Sequence, residues 1–140
     1  MKDPTKQLHD AYFTLLNGNV SVNGTEIPVF KWSQSGSSTR VTVGEAVLDD
    51  ESSKDTYITE VMQTIYIQAD LRIKDERDVA ENISDAVCQL VVVTSTSLMT
   101  LTDFDMVTAE LAAVDTFEPS EQDSTLFIKE LVFKHLITEN

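Results

Sequence analysis

The segment Tyr57 to Ile73, YITEVMQTIYIQADLRI, alternates in polarity for longer than any other stretch of the chain. Val61, Gln63, Ile65, Ile67, Ala69, Leu71 and Ile73 fall on one side of an extended backbone, and Met62, Thr64, Tyr66, Gln68, Asp70 and Arg72 on the other. Successive side chains on a strand point to opposite faces, so this pattern buries one apolar row and offers the other to water or a partner. It predicts a long central antiparallel strand. Strands are typically about 5 to 6 residues long. One of this length implies a sheet that overhangs its core, or a strand that serves both a core and a subunit contact.

The flanking segments supply the rest of a sheet and the helices that cover it. Pro4 to Leu16 predicts an amphipathic helix, with Leu8, Ala11, Tyr12, Leu15 and Leu16 on one stripe, Asp3 as N-cap and Asn17-Gly18 as the stop. His9 falls outside that stripe and reads as a solvated surface residue. In Val20 to Phe30, Asn23-Gly24 between short apolar alternations predicts a hairpin, and Pro28 confines its segment to an edge or a strand end. Trp32 reads first as a core anchor and second as an interface anchor. Ser33 to Thr39 is a polar loop. Arg40 to Leu48 is a strand with a bulge or bend at Gly44. The acidic run Asp49 to Asp55 reads as an exposed hairpin tip, because it lacks the glycine-containing ligand spacing of a calcium loop.

Beyond the long strand the period changes from two to 3.6 residues. From Lys74 to Val91, the residues Val79, Ala80, Ile83, Ala86, Val87, Leu90 and Val91 form one stripe, with Asp75, Glu76 and Asp78 near the dipole-positive start. Cys88 lies beside the stripe. Val92 to Asp103 is β-rich but weakly patterned, and Phe104 to Phe117 fits either a strand or a helix; we take it as a strand. Glu118 to Ser124 is a polar turn, and the alternating segment TLFIKELVFKHLI closes the chain and ends the sheet. The expected fold is a single α+β domain over residues 1–140, a mostly antiparallel sheet of about four to five strands with a β-hairpin and two main helices packed on it.

Charge and motif content narrow the function. The 24 acidic residues against 10 basic ones give a net charge of -14, which repels nucleic-acid phosphate, and no cluster of Lys or Arg opposes that repulsion. No apolar run approaches the ~20 residues of a membrane span, and the start MKDPTKQLHDAY lacks the apolar stretch of a signal peptide. One cysteine cannot form an internal disulfide, in keeping with a reducing cytoplasm. There is no phosphate-binding glycine loop, no G-x-S-x-G elbow and no H-E-x-x-H pair. Catalytic residues, cofactors and metals are therefore not expected.

In order and length, these elements resemble the tail terminator and tail completion proteins of long-tailed bacteriophages, small α/β proteins that join head to tail. The resemblance rests on the N-terminal helix through Leu15-Leu16, the EIPVFKW segment, the strand VMQTIYIQADLRI running into the helix DERDVAENISDAVCQLV, and the closing LFIKELVFKHLI. It covers nearly the whole chain. It implies a structural virion protein of the neck, assembled in the host cytoplasm, that forms a homo-oligomeric ring, usually a hexamer. Such a ring caps the tail tube, stops its growth and presents a surface to the head connector or stopper protein, without an active site, a cofactor or a membrane. Partner contacts are then expected at Trp32, at the loop tips Ser35, Ser37, Asp49, Asp50 and Glu51, and at Tyr66 on the polar side of the long strand. An acidic lumen would let DNA pass without sticking. The competing readings are another neck or connector ring, an acidic inhibitor that mimics DNA, and a small enzyme or ligand-binding α+β domain.

Overall fold

The computed structural model describes residues 3–33, 36, 38–48, 58–92, 99, 101–117 and 125–140. In chain order they form α1 (Thr5–Leu16), β1 (Ser21–Val22), β2 (Thr25–Glu26), β3 (Val29–Phe30), β4 (Arg40–Leu48), β5 (Ile58–Asp70), α2 (Glu76–Val92), β6 (Phe104–Phe117) and β7 (Leu126–Glu139). The fold is α+β. Strands β1 and β2 make a separate hairpin, and the main sheet runs β3-β4-β5-β7-β6. All its pairings are antiparallel except the short β3–β4 contact.

The long alternating segment sits where its pattern requires, in the middle. β5 pairs with β4 on one side and with β7 on the other, where Ile58 faces Thr138 and Asp70 faces Leu126. Val61, Gln63, Ile65, Ile67 and Ala69 are buried, while Met62, Thr64 and Gln68 are half-buried and Tyr66 is exposed. Both helices lie on the odd-numbered side. From α1, Tyr12 reaches His135 of β7, and from α2, Arg77 stands 4.7 Å over the ring of Phe127. Glu81 of α2 also pairs with Lys129 of β7 at 2.6 Å. Leu8, Tyr12 and Leu16 of α1 and Ala80, Ile83, Val87 and Val91 of α2 join the strand residues in one core.

Local chemistry explains the turns. Asn23 and Gly24 both have positive φ, 53° and 78°, the conformation a two-residue hairpin turn needs to match strand twist. Pro28 stands just before the edge strand β3, where its missing N–H is not needed, and its carbonyl accepts a bond from the Val41 amide at 2.9 Å. In β4, the register steps between Val43 and Ala46, placing the bulge at Gly44-Glu45. Gln63 plugs it. Its side-chain amide donates to the carbonyls of Gly44 at 2.8 Å and Thr64 at 2.9 Å, with Glu45 O at 3.3 Å.

One expectation changes. The closing strand does not end the sheet: β7 lies inside it, flanked by β5 and β6, and the edge is β6. Its sequence suits an interior strand, with apolar side chains in both rows: Phe127, Leu131, Phe133 and Ile137 are buried, and Ile128, Val132 and Leu136 are half-buried between cross-strand neighbours on either side. The segment 104–117 is a strand, as taken, with register steps between Met106 and Thr108 and between Leu111 and Ala113. Each extra residue reverses the in-out phase. That reversal is what makes its sequence look half helical.

Candidate subunit interface

Of the residues expected to meet partners, Ser35, Ser37, Asp49, Asp50 and Glu51 lie outside the described residues. Trp32 and Tyr66 are described, and the fold brings them to one place. Together with Thr42, Gly44, Gln68 and Ile128 they line an open cleft of about 510 Å³. Trp32 is not a core anchor. It is 60% exposed and lies flat on the ring of His9, with centroids 4.0 Å apart and planes 18° from parallel. The indole is a cover over α1.

His9 is correspondingly not a solvated residue; only 3% of it is exposed. It sits at i, i+3 and i+7 to Tyr12 and Leu16, so it shares their side of the helix, and Trp32 closes over it. Its Nε2 faces the Val43 carbonyl at 3.3 Å, which requires the proton on that nitrogen, and its Nδ1 has no partner. Those contacts tie α1 to the outer side of β4. A second cleft of about 280 Å³, lined by Lys6, His9, Trp32, Glu45 and Ala46, continues the first along that side.

Tyr66 projects from the helix-free side of the sheet and lies across Gly44. A Cβ added at Gly44 would come within 2.8 Å of Tyr66 Cε2 and 3.0 Å of Thr64 O, so glycine is what lets the ring lie there. Partial burial pushes the Tyr66 phenol above its ordinary value, and Glu130 and Glu45 push the same way. On the same side, Lys134 bridges Glu60 at 3.0 Å and Glu110 at 3.7 Å, linking β5, β7 and β6. Those carboxylates, Glu60 first, raise the Lys134 ammonium above its usual range.

A long exposed strand is a feature that sequence reasoning missed. β6 is fourteen residues long and, among the described residues, pairs with β7 alone. Val107, Leu111, Val114 and Phe117 on it are 41–51% exposed. Edges are blunted by charge, Lys above all, by Pro, by brevity or by bulges; β6 carries two bulges and three acids, but it is long and contains neither Lys nor Pro. That composition was the available signal.

The interior holds a polar link of a different kind. His135 is fully buried. Its Nδ1 faces the Thr108 carbonyl at 3.2 Å and so carries the proton, leaving Nε2 to accept from the Tyr12 hydroxyl. Burial holds His135 down to about 4, partly opposed by the bond to Thr108. Burial also pushes the Tyr12 phenol well up, with Cys88 adding to the effect. The Cys88 thiol is likewise raised, first by burial and then by Asp85, against Lys129, which disfavours the thiolate a nucleophile needs. Among the described residues no group of three His, Cys, Asp or Glu side chains is placed to hold a metal ion, and no helix is long and apolar enough to cross a membrane.

No family model matches the sequence, and no curated protein matches it. Among solved structures, a chain described as "Virion of native gene transfer agent (GTA) particle" has the same fold, with a TM-score of 0.71 and 17% identity. The match covers 95% of this chain and 96% of that one. At that identity the likeness is one of fold, and it extends over essentially the whole of both chains.

Proposed function

We propose that this chain is a structural protein of a phage-like virion, one that forms a ring at the head-proximal end of a tail, terminates tube growth and joins the tail to the head connector. The observation that carries the reading is the fold shared from end to end with a chain from a gene transfer agent virion. A match of this coverage makes the whole domain, and not a grafted site, the unit of comparison. The exposed edge of β6 and the clefts beside Trp32 support it, since a ring subunit needs uncommitted surface on two sides. In this reading the chain carries no catalytic residues, cofactor or membrane anchor. It is made in the host cytoplasm and ends in the virion, with copies of itself, the tail tube protein and the connector or stopper as partners.

The acidic residues Asp49, Asp50 and Glu51 are assigned to the lumen or to the adjoining ring. Neutralising them together is expected to slow DNA passage through the particle; unchanged passage removes the lumen role. The ring itself is tested by light scattering of the purified protein, free and on tail tubes that lack it, followed by imaging of large species. A ring of about six subunits on the tube end supports the terminator role, whereas about twelve indicates a connector ring. A chain that stays monomeric and ignores tail tubes overturns the proposal, and binding to a DNA-handling enzyme would then support the DNA-mimic reading.

A further inference from the structure

Among the described residues the sheet is open at both ends, and the two ends differ. At one end β6 offers a backbone edge about 45 Å long, taking ~3.3 Å per residue. At the other, β3 covers only Val41 and Thr42 of β4, and His9 occupies the Val43 carbonyl. Past that point, Gly44 to Leu48 has no strand on its outer side among the described residues. Val47 is 54% exposed there, and the clefts flanking Trp32 open beside it.

From this we infer that the β6 edge of one copy docks on the Trp32 and β4 edge of the next copy, extending the sheet from subunit to subunit. The inference rests on the ring reading and names the surfaces that would make the ring. A strand edge is completed by another strand, because each unpaired N–H and C=O then gains a partner. The alternative occupant, a second β6, is disfavoured by charge. Asp105, Glu110 and Asp115 lie on β6 with no basic residue among them, so self-pairing sets three acids against the same three of the partner. The opposite edge is mixed: Lys6 and Lys31, 86% and 42% exposed, stand beside Asp10 and Glu45, so it sets fewer uncompensated acids against β6 than a second β6 would. The contact therefore joins unlike surfaces. A head-to-tail contact of this kind does not saturate in a pair, and it closes a ring when its rotation divides the circle.

Two double variants at exposed positions test the pairing. Val107→Lys with Val114→Lys breaks the donor edge, and Trp32→Ala with Val47→Lys breaks the acceptor. Thermal melts like that of the parent chain show that each still folds. Self-association of either variant alone is expected to fall by roughly tenfold or more, and a mixture of the two is expected to form a one-to-one dimer that grows no further. If the acceptor variant still dimerises alone while the donor variant does not, the β6 edge pairs with itself and the inference fails. It fails equally if both variants assemble like the parent chain. A ring on the tail tube to which both double variants still assemble like the parent chain overturns this inference and leaves the proposed function standing; edge-to-edge assembly that ignores tail tubes does the reverse.

Discussion

β6 and β7 are the same length and are paired with each other, yet they live in different environments. In β7 the residues Phe127, Leu131, Phe133, His135 and Ile137 are buried beneath the helices. Directly across the ladder, Leu111 faces Phe133 and Val114 faces Leu131, and both β6 residues are more than 40% exposed. The helix layer covers the start of β6, where Phe104 is buried and Met106 packs on the core, and leaves the rest of that strand bare. An apolar row that continues past the cover contributes little to the stability of the single chain, and that is the surface left for a neighbour.

The sharpest way to break this comparison is to truncate both members of one cross-strand pair. Phe133→Ala is expected to cost about 3 to 5 kcal/mol, and Leu111→Ala under about 1 kcal/mol, as read from urea unfolding. Similar losses at the two sites would mean that β6 is as much a part of the core as β7.

The link from β7 to Tyr12 and Thr108 responds to pH. Because His135 is held at about 4 and an unfolded histidine titrates near 6.5, the unfolded chain takes up its proton first. The stabilisation is complete above pH 6.5 and drains as the pH falls toward 4, by about 3 kcal/mol from this residue. Unfolding of the parent chain and of His135→Leu between pH 7 and 4.5 reads the difference. A parallel fall in both would show that His135 does not contribute to it.

Two smaller effects sharpen the account of the other side of the sheet. Gln63→Leu leaves the bulge carbonyls of Gly44 and Thr64 without their donor and is expected to cost about 2 kcal/mol. Gly44→Ala is expected to cost about 1 kcal/mol, and less in a Tyr66→Ala background, where the closest clashing atom is gone. Equal costs in the two backgrounds would assign the strain to the Thr64 carbonyl alone. Trp32→Ala is expected to cost about 0.5 to 1 kcal/mol, the worth of the lost stack on His9. Its larger effect belongs in assembly.

What the sequence showed was period. Strict alternation placed β5 at the centre, a 3.6-residue stripe placed α2, and Asn23-Gly24 placed the hairpin, because each is a local rule that the fold did not override. Where the chain inserts extra residues the rule lost its phase: the bulges at Val107 and Ala112 made β6 look partly helical and hid its exposed row. Partners distant in sequence were equally illegible. Trp32 has the composition of a core residue, but its ring is used on the outside to shut His9 in, a contact between residues 23 positions apart that neither periodicity nor propensity encodes. Tyr66 was legible as a surface residue from its even position on β5, whereas the cleft it shares with Trp32 required the fold.

The most direct test is amide hydrogen exchange across residues 104–117, compared between the dispersed chain and the chain assembled in rings or on tail tubes. In the dispersed chain the outward amides of β6 should exchange quickly while those of β5 and β7 stay protected. On assembly, protection is expected to rise along β6 and at residues 44–48. A particle in which β6 remains as open to exchange as in the single chain would contradict the claim that this edge is kept for a neighbour.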